Sequence, residues 1–438
     1  MKHALSSETT PTRVSPKMIR MATLGASVGS TVEFYDIAIY AYLAPIIGRI
    51  FFATTDPVVA LLSSFAVFGA AFVVRPLGGL FFGSLGDRLG RQKTLAAVIL
   101  LISAATFAIG VLPTYEALGI AAPIALVILR LVQGFSAGGE VGGATAFVAE
   151  YAPPHRRGFL VSLVELGAMG GFLLGSVAVL ILNLSLTQQQ IFEWGWRVPF
   201  LIAGPLGIVG LLIRNRLEES PEFMALKTSG SVLKQPLRTT ITLHWRSVLV
   251  VAAFALFQNV AVYIVLTFIS TYLSSTLKFD IQVSSFSSAL TLVAVCVVVP
   301  LSGALSDKVG RKRVLTWSCG TAAILTYPLF ALMSIGSSLL AVTAHIVLGL
   351  ILGVFLGPVL VAMSEMFSTA VRYGGMSLGY NLSVSIFGGT APFIVTLLIA
   401  TTGNNLAPSF YVIAASLVTL AVVAVSKETA PRMPNGTS

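Results

Sequence analysis

Twelve stretches of roughly twenty apolar residues follow one another along this 438-residue chain, and nothing else in it limits the fold as strictly. A segment that long and that apolar crosses a bilayer as an α-helix, because hydrocarbon offers no partner to a free backbone N–H or C=O. The runs are continuous rather than alternating, which excludes a membrane barrel. Charged residues make up 10% of the chain, against about 25% in soluble domains, so most of its surface is built for lipid.

The apolar runs and their breakers place the spans at 21–50, 57–83, 93–112, 121–151, 159–184, 196–213, 247–273, 284–305, 314–333, 338–366, 374–401 and 406–425. Residues 1–20 are a polar tail with Lys2, Arg13, Lys17 and Arg20; no short apolar core with a cleavage site follows, so the first span is expected to stay in the mature protein. The long polar segment 214–246 divides a first six-helix bundle, 21–213, from a second, 247–425, and 426–438 form a short tail. Cys296 and Cys319 lie inside apolar runs and read as small core residues.

Orientation follows from the basic residues. Of the 27 Lys and Arg, Arg49, Arg197 and Lys278 fall on one side, Arg75 and Arg130 fall mid-span, and the other 22 lie in the tails and the loops after even-numbered spans. This asymmetry puts both termini in the cytoplasm of a bacterial inner membrane. The net charge of +10 is a topology signal, with no soluble basic face for nucleic acid.

The two halves repeat one template. Gly83-Ser-Leu-Gly-Asp87-Arg88-Leu-Gly90-Arg91-Gln-Lys93 matches Gly303-Ala-Leu-Ser-Asp307-Lys308-Val-Gly310-Arg311-Lys312-Arg313, 220 residues later. Glu150 and Arg157 recur as Glu365 and Arg372 at an offset of 215. Two matches at nearly one offset indicate a parallel six-plus-six repeat. Glycines allow tight turns and close helix approach, an Asp there can accept hydrogen bonds from a helix N-terminus, and Arg can bond carbonyls or carboxylates. These contacts suit a latch that forms in one conformation and breaks in another.

Ionisable groups inside a membrane are costly and by default functional. Glu33, Asp36, Glu140, Glu150, Glu165 and Glu365 lie within or at the ends of spans, joined by Arg75 and Arg130. Glu33 and Asp36 share a face of span 1, and two carboxylates in a low dielectric resist double ionisation, so one can take up and release a proton. Arg75 and Arg130 are their natural partners. In span 4, Gln133 and Glu140 accompany Arg130 toward an expected cavity.

With these residues in view, the twice-repeated G-x-L-x-D-R-x-G-R pattern resembles the signature loop of the major facilitator superfamily. Val32-Glu33-Phe34-Tyr35-Asp36, Arg75-Pro76-Leu-Gly78-Gly79, Arg130-Leu-Val-Gln133-Gly134, Trp194-Gly195-Trp196-Arg197-Val-Pro199-Phe200 and Glu219-Ser-Pro221-Glu222-Phe223 are together similar to the metabolite:H+ symporter family, over essentially the whole chain. The resemblance implies an all-α polytopic membrane protein of twelve transmembrane helices in two pseudo-symmetric bundles, acting by alternating access. It implies a role for Arg130 in proton coupling, with the membrane-embedded charges Asp36, Glu33, Arg75 and Glu140 as the other candidates for that role. It also implies a gate at the cytoplasmic helix ends in which Glu150, Arg157, Glu365 and Arg372 join Gly83, Asp87, Arg88, Gly90, Arg91, Asp307, Gly310 and Arg311.

Candidate solute contacts are Tyr35 and Tyr40 in span 1, Gln133 in span 4, Gln258, Asn259 and Tyr263 in span 7, and Tyr380 and Asn381 in span 11. Aromatic faces suit ammonium groups, while amides and guanidinium suit carboxylates. Within the family, Phe147-Val-Ala-Glu150-Tyr151, Pro205-Leu-Gly207 and Asn259-Val260 resemble members that carry the zwitterions proline and betaine, and Glu165 resembles an acidic position of theirs. Gly379-Tyr380-Asn381 and Phe387-Gly388-Gly389-Thr390-Ala391-Pro392 look more like carboxylate carriers of the 2-oxoglutarate, citrate or shikimate type. The chain ends soon after Lys427-Glu428-Thr429, without the long coiled-coil tail of some members, so osmotic gating is not expected. The favoured reading is proton symport of a small zwitterion, with a carboxylate second.

Other classes fit less well. His3, His155, His244 and His345 are scattered without metal-ligand spacing, so neither an enzyme nor a metal site is expected, and His345 reads as a packed residue. There is no Walker loop for an ATP-driven pump and no pore ring or selectivity loop for a channel. A sensor built on a transporter fold is a remote alternative. The expected partners are the solute, H+ and lipid, with no cofactor, and the expected state is a monomer.

Overall fold

The computed structural model describes residues 16–89, 91–215, 244–367 and 369–430, with side chains at 83, 84, 86–93, 214–215 and 369–371 left aside. Ten of its helices are long and apolar enough to span a membrane, and two bent pairs bring the number to twelve. In the first half these are α1 (Pro16–Tyr42, continued after a 66° bend by Ala44–Phe51), α2 (Pro57–Phe82), α3 (Thr94–Val111), α4 (Ala121–Tyr151), α5 (Pro154–Ser185) and α6 (Gln188–Gly195, bent by 47° into Arg197–Ile213). The second half holds α7 (Trp245–Thr276), α8 (Ile281–Val309), α9 (Arg311–Met333), α10 (Ser338–Ser364), α11 (Arg372–Thr402) and α12 (Ala407–Val425). Among the described residues there is no strand. The segments 1–15 and 216–243, with most of the expected linker, lie outside the described residues, as do 431–438.

Both bends depart from the sequence expectation, which ran span 1 unbroken from 21 to 50 and began span 6 at 196. Proline explains each. Pro45 and Pro199 donate no N–H, and each ring would meet the carbonyl four residues back, at Ala41 and Gly195. The helix breaks just past those points and restarts with the proline in its first turn.

Within the first half, α1 packs along α5, α2 along α4, and α3 against α4 and α6. In the second, α8 packs along α10, α9 against α10 and α12, and α7 against α11 and α12. Between halves, α5 runs along α8 and α10, while α11 lies against α2 and α4. Small residues draw α2 and α4 together: a Cβ on Gly134 would collide with the Ala71 carbonyl, and one on Gly78 with that of Phe135. That approach brings Arg75 and Arg130 beside the carboxylates of α1.

Candidate functional site

Two ion pairs occupy the middle of the first half. Asp36 on α1 accepts hydrogen bonds at Oδ1 from Thr106 Oγ1 of α3 at 2.7 Å and from Gln133 Nε2 of α4 at 2.6 Å. Arg130 Nη1 stands 3.4 Å from its Oδ2 and donates to Gln133 Oε1 at 2.9 Å. The guanidinium also lies 4.3 Å above the Tyr40 ring, whose hydroxyl donates to the Ser64 carbonyl. One turn along α1, Glu33 Oε1 is paired with Arg75 Nη2 at 2.7 Å, and the Arg75 guanidinium stacks 4.6 Å from Phe72. Both arginines and both carboxylates are buried to within 4% of full enclosure. These residues line a cavity of about 10 Å³ together with Ile37, Ala71, Phe72, Ile102, Gly134 and Ala137, room for about one water. Glu140 lies within electrostatic reach of Glu33.

A second polar group stands across the interface between halves. Glu165 on α5 accepts a long hydrogen bond, 3.4 Å, from Gln258 Nε2 on α7. It forms no ion pair among the described residues. Gln258 Oε1, Asn259 Nδ2 and the Tyr263 hydroxyl are buried without a hydrogen-bond partner. Tyr263 sits where α7 widens to π-helical turns over Val262–Phe268, its ring edge-on to Phe68 and Phe72 of α2 at 5.9 and 5.1 Å. Tyr263 and Tyr380 both lie within electrostatic reach of Glu165, Arg75 and Glu33. The centre thus holds a carboxylate on α5 without an ion pair among the described residues, the Glu33-paired guanidinium on α2, and two tyrosines of the second half within reach of both.

The structure therefore brings together Glu33, Asp36, Arg75, Arg130, Gln133, Tyr40, Glu165, Gln258, Tyr263 and Tyr380. Tyr35 turns away instead, its hydroxyl donating to the Pro199 carbonyl of α6 at 2.8 Å, a bond that fixes the restart after the α6 bend. Asn381 is held by the Gly138 carbonyl at 2.7 Å, tying α11 to α4 where its helix is interrupted at Gly138 and Gly139. Asn259 is buried beside Gln258 with its amide nitrogen free. Sequence reading missed Thr106, a hydroxyl in a largely apolar span, and Phe68 and Phe72, which are indistinguishable there from other packing residues.

At the end of the bundle where the basic residues gather, the halves are latched. Asp307 at the foot of α8 accepts hydrogen bonds from the Gly158 and Phe159 N–H groups of α5, both at 2.9 Å, and pairs with Arg311 at 2.8 Å. The helix N-terminus and the guanidinium thus share one carboxylate. Among the described residues, two ion pairs cross between halves: Arg157 with Glu365 at 3.6 Å, and Arg372 with Glu150 at 3.8 Å. Glu365 also faces Arg311 at 3.6 Å. Gly310 adopts φ 101°, a conformation that favours glycine, and turns α8 into α9. Of the first signature loop, Gly83, Asp87, Arg88 and Arg91 have helical backbone but their side chains, and all of Gly90, lie outside the described residues.

The far end is closed as well. Tyr42 donates to the Leu266 carbonyl at 2.5 Å, Asn183 to Ser285 at 3.0 Å, and Phe65 packs on Phe268 at 6.1 Å between ring centres. His345 bridges α8 and α7, accepting at Nδ1 from Ser287 and donating from Nε2 to the Val265 carbonyl, each at 2.8 Å. No group of three or more His, Cys, Asp and Glu placed to hold a metal occurs among the described residues.

Two six-helix halves closed over a buried, charged centre define a polytopic membrane transporter of the major facilitator type. Solved structures agree on the fold: the xylose transporter XylE from E. coli in a partially occluded inward-open form superposes with a TM-score of 0.77 at 19% identity, over 95% of this chain and 100% of that one. The XylE proton:xylose symporter bound to 6-bromo-6-deoxy-D-glucose gives 0.78 at 17% identity, over 95% and 97%. The chain belongs to the sugar (and other) transporter family, whose profile matches residues 22–235 and 227–432. It is 36% identical over 430 residues to the proline/betaine transporter of Escherichia coli K12, covering 95% of this chain and 85% of that one. It is 35% identical over 430 residues to the glycine betaine/proline/ectoine/pipecolic acid transporter OusA of Dickeya dadantii, with the same coverage.

Proposed function

We propose that this protein is a proton-coupled symporter of a small zwitterion of the proline or glycine betaine type, working by alternating access. The buried centre carries the reading: Glu165, a carboxylate without an ion pair among the described residues, and the Arg75 guanidinium both lie within electrostatic reach of Tyr263 and Tyr380 of the second half. A zwitterion satisfies both groups at once. The names of the relatives from E. coli and D. dadantii support the same class of solute.

In this mechanism Asp36 carries the proton. While ionised it is held by Thr106, Gln133 and Arg130 within the first half. Protonation removes its claim on Arg130 and loosens the tie between α1 and α4. Arg75, paired with Glu33 on the side facing the second half, exchanges that carboxylate for the one on the solute. The ion pairs at the basic end, which we place in the cytoplasm, then break as the far end stays closed, releasing solute and proton inward. The protein acts as a monomer in the inner membrane, with lipid as its surroundings and no cofactor.

A carboxylate as solute is the second reading, favoured by two buried guanidinium groups in one centre. Uptake of labelled glycine betaine into proteoliposomes under an inward proton gradient, with proline, citrate, 2-oxoglutarate and shikimate as competitors, separates the two. Competition by proline supports the zwitterion; competition by the organic acids alone refutes it.

A further inference from the structure

The Glu165 end of the centre has a chemical preference of its own, legible in how Gln258 is oriented. Its amide nitrogen faces the Glu165 carboxylate at 3.4 Å, the orientation that suits an ionised Glu165, since the reverse would set an oxygen against an anion. With the nitrogen on Glu165, Gln258 Oε1 is turned to the other side of the amide. That oxygen is an acceptor without a donor, in a residue 2% exposed. The neighbours do not resolve it: Asn259 Nδ2 and the Tyr263 hydroxyl, on the same helix, are unpartnered as well. Buried polar groups are almost always satisfied, and a solute bound at this point of α7 can supply the partners that Gln258 and its neighbours lack.

We propose that the solute meets Gln258 Oε1 with an N–H donor on its ammonium group, so that the protein prefers a zwitterion bearing an N–H to a fully N-methylated one, with Gln258 setting that preference. The proposal rests on the zwitterion reading above and narrows it. A quaternary ammonium can sit beside Glu165 and against an aromatic face, but has no hydrogen to give, so it buries the Gln258 oxygen unsatisfied. A secondary ammonium places one hydrogen on Glu165 and one on Gln258. Sites built around a buried hydrogen-bonding group discriminate against ligands lacking the matching group, here by about tenfold or more.

The test varies the ligand before the protein. Inhibition constants for proline, N-methylproline and N,N-dimethylproline are measured on wild-type proteoliposomes, with the carboxylate constant across the series. The expected result is a drop of about tenfold or more in apparent affinity when the last N–H is lost. Gln258→Leu is then expected to flatten the series by weakening proline while N,N-dimethylproline holds its affinity, which also reports that the variant is folded. Equal or tighter binding of N,N-dimethylproline by the wild type overturns the proposal even if Gln258→Leu fails to assemble. If none of the three competes and citrate or shikimate does, the underlying zwitterion reading falls with it, an outcome distinct from a flat series.

Discussion

Asp36→Asn tests the coupling assignment. The substitution keeps an oxygen able to accept from Thr106, 2.7 Å away, or from Gln133, 2.6 Å away, and removes the charge that faces Arg130 at 3.4 Å. Breaking a buried ion pair from one side costs roughly 3–5 kcal/mol. Here Arg130 keeps Gln133 Oε1 at 2.9 Å and the Tyr40 face at 4.3 Å, so the lower end, about 3 kcal/mol, is expected and the protein should still fold. Function is affected more sharply. With one proton per solute, a gradient of one pH unit stores about 1.4 kcal/mol and supports about tenfold accumulation. An amide cannot carry that proton, so accumulation should fall to about onefold. Exchange of internal for external solute, which needs no net proton movement, should persist. The assay is paired uptake and counterflow in proteoliposomes at fixed membrane potential. Undiminished accumulation driven by the pH gradient in Asp36→Asn refutes the assignment.

Arg75→Lys should weaken solute affinity by about tenfold or more while leaving coupling in place, because a point charge replaces a planar fork at the carboxylate pole; inhibition constants in the same vesicles check this. Arg130→Lys should do the reverse, impairing coupling more than affinity. Asp307→Ala removes the acceptor for two N–H groups of α5 and one partner of Arg311, on the order of 2 kcal/mol of latch. Thiol labelling at Ser162→Cys, which is fully buried against α8 in the closed state, should then speed up; unchanged labelling counts against the latch. Gly134→Ala places a methyl in the Ala71 carbonyl and should destabilise the protein by about 1–3 kcal/mol, read as a lowered Tm in detergent.

Much of the fold is written in the sequence because lipid makes secondary structure nearly obligatory: an apolar run of twenty residues has one outcome. The site is legible for the opposite reason, since a charge in such a run stands out. What resists reading is the rotation of each helix. A span that is apolar on every side carries no stripe to tell lipid from protein, and only its rare polar residues point inward. Glu33 and Asp36 orient α1 in this way, and both face the centre. Tyr35, between them, projects off that face and bonds α6 instead. Thr106 is a hydroxyl among apolar neighbours, identical in sequence terms to Thr343, which bonds its own helix at Leu339 on an exposed face. The cross-half pairing of Glu150 with Arg372 and of Arg157 with Glu365 is a property of how two repeats dock, and no single repeat encodes it.

The two ends of the bundle close by different chemistry, and that difference suits a molecule that must open each in turn. At the basic end the contacts are ion pairs and a capped helix, groups that water solvates well once the halves part, so opening exchanges one set of strong partners for another. At the far end they are an aromatic pair, a tyrosine on a carbonyl and an amide on a serine, contacts small enough that exposure costs little. Neither seam then fixes the equilibrium, and the charged centre between them can decide it. A zwitterion adds no net charge there, so a cycle that carries it with one proton moves one positive charge inward. The membrane potential contributes to such a cycle at about 2.3 kcal/mol per 100 mV, whereas a monocarboxylate moving with one proton is electroneutral and gains nothing from it. The presence of Glu165 and Arg75 in one centre thus bears on the energetics as well as on recognition, since a site that takes a neutral solute leaves the proton as the only charge the field can drive.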